Sequence, residues 1–261
     1  MSDILQTIAD ATRIRVDEAL KANPREEVEA KAKSLPMGNF AFEKRLKAPG
    51  ISFILECKKA SPSKGVIAEN FPYLDIARDY EAAGADAISV LTEPGWFKGD
   101  IRYLEEISRE VSIPTLRKDF VVDSYMIYEA KLAGAGAVLL ICSILDEARL
   151  KEYIGIADSL GISSLVEAHD EAEADMAILC GARVIGVNNR NLRTFDVDPS
   201  NCLRLRSRIP EDIAFVAESG VKTPEDVKVL ADNNVNAILI GESAMRSEDK
   251  KAFTANLRSL L

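Results

Sequence analysis

Polar side chains that could transfer protons follow the ends of short apolar segments in this sequence. Six residues are placed in this way: Glu56, Lys58, Lys118, Glu167, Asn188 and Glu218. Three carboxylates and two ammonium groups in one cavity would shift one another's pKa values, which is how acids and bases active near neutral pH arise. The alternative is a set of solvated salt bridges on a rim, each worth under about 1 kcal/mol.

The two-residue period of a β-strand favours the shared cavity. Side chains two positions apart lie on one face, so Glu56 and Lys58 lie on the face of Ile54, and Lys118 on that of Leu116. The same spacing places Glu167 with Leu165. A single lysine or glutamate is more often a rim residue, but six polar residues in register at successive strand ends indicate one site.

Eight short, nearly uncharged apolar segments are the candidate strands. They are Ile51–Leu55, Ala87–Leu91, Ile113–Leu116, Val138–Ile141, Ser164–Val166, Val184–Val187, Ile213–Ala217 and Ala237–Ile240. Continuous rather than alternating hydrophobicity is typical of parallel strands that are covered on both faces. Helix-start signals lie between them at Asp123, at Asp170 with Glu173 as a capping-box pair, and at Thr223 before Pro224.

The alternation of strand and helix predicts an α/β fold, a (β/α)₈ TIM barrel. Eight units of about 26 residues fit this barrel, which typically needs about 250 residues. A doubly wound sheet is the alternative, but it should carry a G-x-G-x-x-G turn after its first strand, where this chain has Glu56–Ser61. Residues 1–50 lie outside the repeat, and we expect them to form extra helices packed on one rim. With no Gly/Ser-rich linker, residues 1–261 should form a single barrel domain with this N-terminal extension.

Two glycine-containing loops at the end of the predicted barrel suggest a phosphate site. Ser219-Gly220 follows the seventh strand, and Gly241-Glu242 follows the eighth. Barrels commonly bind phosphate through backbone N–H groups in these two loops, and glycine permits close approach. Each glycine alone could simply make a tight turn. Arg190 and Lys58 could add positive charge to the site.

Three other features have weaker chemical signals. Ser61 begins a Ser-Pro-Ser-Lys-Gly segment with the composition of a mobile flap, although an ordinary turn explains it as well. Phe97 and Phe120 follow the second and third strands and could belong to a pocket or to the core. His169 is expected to be a surface residue, because no partner with metal-ligand spacing is present.

Composition excludes several classes of protein. The 33 basic and 42 acidic side chains give a net charge of −9, which argues against nucleic-acid binding. Four scattered cysteines and one histidine predict neither a disulfide framework nor a zinc site, and favour a reducing, cytoplasmic location. No apolar run approaches the roughly 20 residues that span a bilayer, and an acidic N-terminus does not resemble a signal peptide.

Seven segments together resemble indole-3-glycerol phosphate synthase, the (β/α)₈ enzyme family of tryptophan biosynthesis. From about Ile51 to Met245 they are ILECKKASPSKG, VLTEPGWFKGD, PTLRKDF, LVEAH, IGVNNRNL, AESG and LIGESAM, in the family's order and approximate spacing. The resemblance implies that carboxyphenylamino-deoxyribulose phosphate closes its ring, loses CO₂ and then water, and gives indole-glycerol phosphate. It implies no metal or cofactor, and a small phosphorylated substrate as the only partner of the site.

The same resemblance implies residue roles. Lys118 resembles the general acid that protonates the ribulose carbonyl, and Glu167 the acid/base of the dehydration. Lys58 would bind phosphate or carboxylate or act as a second proton donor. The other matched positions are implied as follows: Glu56 and Asn188 orient hydroxyls and lysines, Glu218 binds the sugar chain, Arg190, Ser219, Gly220, Gly241 and Glu242 form the phosphate site, and Phe97, Phe120 and Leu139 line the anthranilate ring, with Ser61 also in the binding set.

Glu242 departs from the family, which places serine there, so its carboxylate must point away from any bound phosphate. The length of 261 residues leads us to expect a monofunctional enzyme, either a monomer or a weak homo-oligomer. Other readings remain open. One is a related phosphate-binding barrel such as phosphoribosylanthranilate isomerase or a Schiff-base aldolase, and another is a non-catalytic sugar-phosphate-binding barrel.

Overall fold

Eight parallel strands close into a barrel in the computed structural model, which describes residues 4–191 and 195–261. The strands are β1 Ser52–Cys57, β2 Ala87–Leu91, β3 Thr115–Lys118, β4 Ala137–Ile141, β5 Ser163–Ala168, β6 Val184–Asn188, β7 Ala214–Glu218 and β8 Ala237–Ile240. Each strand pairs with its neighbours in chain order, and β1 pairs with both β2 and β8. The predicted (β/α)₈ barrel is confirmed.

The third strand begins two residues later than predicted. Ile113 and Pro114 precede β3 rather than forming its start, because a proline has no N–H to donate to a strand ladder. The shift brings Lys118 into the last position of the strand. Glu218 and Asn188 also occupy last positions, so the polar residues end the strands instead of following them.

Alternate residues of each strand face two separate apolar clusters. The interior cluster includes Ile54, Leu116, Leu165 and Val216, and the outer faces pack against the surrounding helices through residues such as Phe53 and Val166. A parallel strand covered on both sides must be apolar along its whole length, which explains the continuous hydrophobic runs. Strand pairing sets Leu91 beside Lys118, Ile141 beside Glu167, and Asn188 beside Glu218.

Helices connect the strands and form the outer layer. Those of the repeat are α4 Tyr73–Ala82, α5 Ile101–Glu110, α6 Tyr125–Leu132, α7 Glu147–Leu160, α8 Glu171–Leu179, α9 Ser200–Arg206, α10 Pro224–Asp232, α11 Glu242–Arg246 and α12 Lys250–Leu257. Thr223 and Asp226 form a reciprocal capping box at α10. Asp170 caps α8 by accepting from the Glu173 N–H, but Glu173 returns its carboxylate to the N–H of His169 instead. Only half of the capping box predicted for α8 is therefore present.

The N-terminal extension forms α1 Ile4–Ala22, α2 Arg25–Ser34 and α3 Ala41–Leu46, which contact both ends of the barrel. Leu5 and Ile8 of α1 line the cavity at the carboxyl ends of the strands. At the opposite end, the Glu43 N–H of α3 donates to Ser163, the first residue of β5. The expectation that these helices pack on one rim is therefore wrong. No helix in the described parts of the chain is both long and apolar enough to cross a membrane.

Candidate active site

A cavity of about 470 Å³ opens at the carboxyl ends of the strands. This volume lies within the range of small-molecule sites. All fifteen residues singled out from the sequence line it: Glu56, Lys58, Ser61, Phe97, Lys118, Phe120, Leu139, Glu167, Asn188, Arg190, Glu218, Ser219, Gly220, Gly241 and Glu242. The structure thus brings together residues that are far apart in the sequence. Glu56 and Glu242, the most distant pair, are separated by 186 positions.

Lys118 lies between two buried carboxyl groups. Its Nζ is 3.1 Å from Glu167 Oε2 and 3.3 Å from Glu218 Oε2. Burial alone would lower the pKa of Lys118, but the negative charge of Glu167, with that of Glu56, outweighs it and raises that pKa above its usual value. Lys118 is therefore an ammonium group at neutral pH.

Glu167 and Glu218 are pushed to opposite protonation states. Burial favours the neutral acid in both, but the charge of Lys118, with that of His169, holds the pKa of Glu167 below its usual value. For Glu218, burial together with the charge of Glu167 raises the pKa, and the opposing charge of Lys118 does not offset them. Pairs of carboxyl groups separated in this way define an acid and a base. The arrangement gives an ionised Glu167 beside a protonated Glu218.

Gly186 makes room for the carboxyl group of Glu218. A Cβ at position 186 would collide with Glu218 Oε1, an atom that is buried and has no hydrogen-bond partner in the described part of the chain. An ionised carboxylate oxygen left in such a place would be costly, whereas a protonated acid is tolerated. Burial of this oxygen is therefore the main physical cause of the raised pKa of Glu218.

Glu56 and Lys58 form a second ion pair on the other side of the cavity. Lys58 Nζ lies 2.6 Å from Glu56 Oε2, and the Ser89 hydroxyl is 3.5 Å from Glu56 Oε1. The pair packs over the backbone of Gly241, where an added Cβ would collide with Glu56 and come within 2.6 Å of Lys58 Nζ. Gly241 is thus required by this ion pair, a reason that the sequence alone did not provide.

Asn188 organises the neighbouring loop. Its Oδ1 accepts from the Arg190 N–H and from the Ser219 hydroxyl, both at 3.0 Å. Ser219 and Gly220 have φ of 66° and 94°, so a tight left-handed turn exposes their backbone to the cavity. Gly220 therefore makes a tight turn and can also present its backbone to a phosphate. The two interpretations that the sequence left open are compatible.

The carboxylate of Glu242 is engaged by basic side chains. Arg246 Nε donates to Glu242 Oε1 at 3.1 Å, and Lys64 Nζ lies 3.9 Å from the same atom. Lys64 belongs to a hairpin in which Ala60–Ser61 pairs with Gly65–Val66. A phosphate beside Gly241 would therefore find two cations close to the carboxylate of Glu242.

Apolar side chains form the remaining wall. The rings of Phe97 and Phe120 lie with their centroids 6.1 Å apart, and Leu139 faces the same cavity. Leu5 and Ile8 of α1 add to this wall. Sequence reasoning missed them, because a helix outside the repeat gives no signal of where its apolar stripe packs.

His169 is not the surface residue expected from the sequence. Its side chain is only 19% exposed and lies between two acids, with Nδ1 3.1 Å from Glu173 Oε2 and Nε2 3.5 Å from Glu167 Oε1. One partner, Glu173, belongs to the first turn of α8, and the other, Glu167, belongs to β5. The search for metal-ligand spacing could not reveal them, although the position two residues after Glu167 could have done so.

A closed parallel barrel with a lysine held between two carboxyl groups at its strand ends defines a (β/α)₈ barrel protein equipped for proton transfer. The family model of indole-3-glycerol phosphate synthase matches residues 5–257. The indole-3-glycerol phosphate synthase of Ruminiclostridium cellulolyticum is 56% identical over 256 residues, which cover 98% of each chain. That of Lachnoclostridium phytofermentans is 47% identical over 270 residues, which cover 99% of this chain and 100% of the relative. The chain belongs to the indole-3-glycerol phosphate synthase family.

A solved structure shares the fold at low sequence identity. The crystal structure of 3-hexulose-6-phosphate synthase matches with a TM-score of 0.66 at 13% identity, covering 81% of this chain and 100% of the other. At this identity the match concerns the barrel alone.

Proposed function

We propose that this protein catalyses the ring closure of 1-(2-carboxyphenylamino)-1-deoxyribulose 5-phosphate to indole-3-glycerol phosphate, CO₂ and water. The family membership over residues 5–257 supports the reaction, which makes the protein a carbon–carbon lyase of tryptophan biosynthesis. The observation that carries the mechanism is the ammonium group of Lys118 held between Glu167 and Glu218.

Lys118 acts as the general acid of ring closure. As the ring carbon of the substrate attacks the ribulose carbonyl, the carbonyl oxygen takes a proton from the Lys118 ammonium and becomes a hydroxyl group. The raised pKa of Lys118 ensures that the proton is present when substrate binds. Loss of CO₂ then restores the aromatic ring. The new hydroxyl group leaves as water when the neutral Glu218 donates a second proton to it.

Glu167 and Glu218 divide the remaining proton transfers. The ionised Glu167 accepts a proton from the ring system during dehydration, a role that requires its carboxylate form. Glu218 is neutral and offers a proton for a hydrogen bond to a substrate hydroxyl. Asn188 orients the loop at the same end of the cavity.

Lys58 binds an anionic group of the substrate from the opposite side. Its pairing with Glu56 at 2.6 Å fixes the ammonium group over Gly241. The phosphate lies against the backbone of Ser219-Gly220 and Gly241-Glu242, with Arg190 as a further cation. Phe97, Phe120 and Leu139 enclose the anthranilate ring.

We further propose that residues 1–261 act as one domain, because Leu5, Ile8 and Phe42 of the extension pack into the interior cluster of the barrel. A cytoplasmic location is supported by four cysteines that are buried free thiols. A monomer or weak homo-oligomer remains the expected assembly.

The reaction is tested by mixing the purified protein with the carboxyphenylamino substrate and following the fluorescence of the indole product. We expect turnover with release of one CO₂ per indole-glycerol phosphate, both identified by mass spectrometry. Substrate recovered unchanged, or isomerised without loss of CO₂, would overturn the proposal.

A further inference from the structure

His169 connects the candidate active site to the first turn of α8. It follows Glu167 by two positions, so its side chain leaves β5 on the same side as that carboxylate. The Nε2 atom of the ring is buried and has no hydrogen-bond partner among the residues that the structure describes. The atom that faces it is Glu167 Oε1, at 3.5 Å.

Glu173 fixes the other edge of the imidazole. Its Oε2 accepts from the His169 N–H at 2.8 Å and lies 3.1 Å from His169 Nδ1, while the Ser143 hydroxyl donates to Oε1 at 2.6 Å. Asn201 of α9 donates to the His169 carbonyl at 3.1 Å. The ring is therefore held by Glu173 of α8, which Ser143 in the turn after β4 supports, and α9 holds the backbone of His169.

The two oxygens of Glu167 consequently face two different cations. Oε2 lies beside Lys118, and Oε1 lies beside His169. A carboxylate that accepts a proton must have one fixed orientation, since a misplacement of about 1 Å can cost on the order of 100-fold in rate. Lys118 alone restrains one oxygen and leaves rotation of the carboxylate possible.

We propose that His169 is a positioning residue for the reaction, whose imidazolium, oriented by Glu173, holds the carboxylate of Glu167 ionised and turned toward the substrate. The role rests on the proposed function, because it acts through Glu167. The 3.5 Å separation shortens to a hydrogen bond when substrate closes the site, as catalytic contacts commonly do.

The charges around the ring support the imidazolium form. Burial lowers the pKa of His169, but the hydrogen bond to Glu173 and the charges of Glu167 and Glu173 outweigh it, so the pKa lies above the ordinary value of 6.5. Glu167 comes from β5 and Glu173 from α8, whereas the neutral Glu218 of β7 adds no charge until it ionises. Raising the pH through this pKa removes the positive charge and with it the restraint on Glu167.

Direct titration of the imidazole tests the coupling without any activity measurement. His169 is the only histidine of the chain, so in untagged protein all imidazole carbon and proton resonances report on it alone. We expect its pKa to fall in Glu167→Gln and in Glu173→Gln, because each substitution removes a negative charge that favours the imidazolium. The matched control is Glu171→Gln, the same change on an exposed residue of the same helix turn. An imidazole pKa equal in the wild type and in Glu167→Gln overturns the proposal.

Kinetics separate positioning from a merely structural role. In His169→Gln we expect kcat to fall about 10-fold below the imidazole pKa with KM little changed. Above that pKa the deficit should shrink toward twofold, because the wild type has lost the same charge. In Glu173→Gln the alkaline limb of kcat should move to lower pH. A deficit in His169→Gln that is constant with pH, or absent, contradicts the proposal. If the wild type converts no substrate, the proposed function fails, and the titration still decides whether His169 and Glu167 are coupled.

Discussion

The ammonium nitrogen of Lys118 lies 3.1 Å from a carboxylate oxygen of Glu167, although 49 residues separate them in the chain. β3 and β5 are not neighbours in the barrel, so the contact crosses the interior above β4. Both side chains project inward because each lies two positions after an interior leucine, Leu116 or Leu165. Because the barrel is closed, inward-facing side chains of two separate strands meet in one acid–base contact.

Removing the Lys118 ammonium should abolish most of the activity. A single general acid contributes about 10² to 10⁴ in rate, so Lys118→Ala should lose at least 100-fold in kcat while the far-UV circular dichroism spectrum is retained. The matched control is Lys228→Ala, which removes an exposed lysine of α10 and should keep the wild-type rate. A loss below tenfold in Lys118→Ala would identify another donor, with Lys58 as the first candidate.

Substitution of the two loop glycines should weaken substrate binding. Gly220→Ala places a side chain at φ 94°, where its Cβ meets Val197 at 3.0 Å, and strain of about 1–2 kcal/mol is expected. Gly241→Ala would push Lys58 and Glu56 apart, so kcat should fall as well as KM rise. Inorganic phosphate should inhibit both variants less strongly than the wild type.

The control for these variants is Gly155→Ala, on the exposed face of α7 with open space around the added Cβ. It should leave KM unchanged and raise the free energy of unfolding by about 0.5–1 kcal/mol, because alanine is the better helix former. Unchanged phosphate inhibition in both Gly220→Ala and Gly241→Ala would move the phosphate site elsewhere in the cavity.

Protonation of Glu218 should make stability depend on pH in a specific direction. Its folded-state pKa is raised above the ordinary 4.5, so its contribution to stability is fully present below pH 4.5 and is lost as pH rises through the folded pKa. Glutamine cannot release a proton. Urea unfolding of Glu218→Gln should therefore lose less free energy between pH 5 and pH 8 than the wild type loses.

Glu167 does not affect this comparison, because its pKa is lowered. Its contribution to the free energy of unfolding changes only in more acidic solution, below about pH 4.5. His169 titrates within the window, but it is present in both proteins. The exposed Glu248, changed to glutamine, serves as the control and should follow the wild type. Parallel losses of stability in Glu218→Gln and wild type would show that Glu218 is ionised throughout.

The first helix should be anchored to the site by an ion pair. Arg15 Nη2 lies 2.8 Å from Asp119 Oδ1, and Asp119 is fully buried directly after Lys118. Arg15→Ala leaves Asp119 with Arg117 at 3.4 Å, so we expect a loss of about 1–3 kcal/mol rather than the full cost of an unpaired buried charge.

Arg13→Ala is the matched control, because Arg13 lies on the same helix and pairs with the exposed Asp10. Its effect should stay within about 0.5 kcal/mol, as is usual for surface pairs. Equal free energies of unfolding for the two variants, measured in urea, would mean that α1 is not held through Asp119.

Continuous apolar runs and the two-residue period were sufficient to predict the barrel and the convergence of Glu56, Lys118 and Glu218. Both are local properties, repeated eight times, and the closed topology follows from them. The first and last residues of a strand were harder to predict where a single residue changes the hydrogen bonding between strands, as Pro114 does before β3.

The two-residue spacing could have placed His169 beside Glu167, but its contact with Glu173 could not be predicted, because that contact depends on how α8 begins. The capping box predicted from Asp170 and Glu173 was correct for one hydrogen bond, from the Glu173 N–H to Asp170. The Glu173 carboxylate accepts from the N–H of His169 instead of that of Asp170. The packing of Leu5 and Ile8 against the cavity could likewise not be predicted. The sequence of an amphipathic helix shows which of its faces is buried, but it does not show which part of the protein covers that face.

The central claim, that Lys118 donates a proton instead of forming a covalent adduct, is tested most directly by borohydride trapping. A Schiff-base lysine attacks the substrate carbonyl as a free amine, and borohydride then fixes the substrate on the protein. The protein is treated with sodium borohydride during turnover, and its intact mass and its Lys118 peptide are measured. The structure predicts an unmodified mass, because the ionised Glu167 keeps Lys118 protonated. A mass increase equal to the reduced substrate adduct on Lys118 would contradict the acid role.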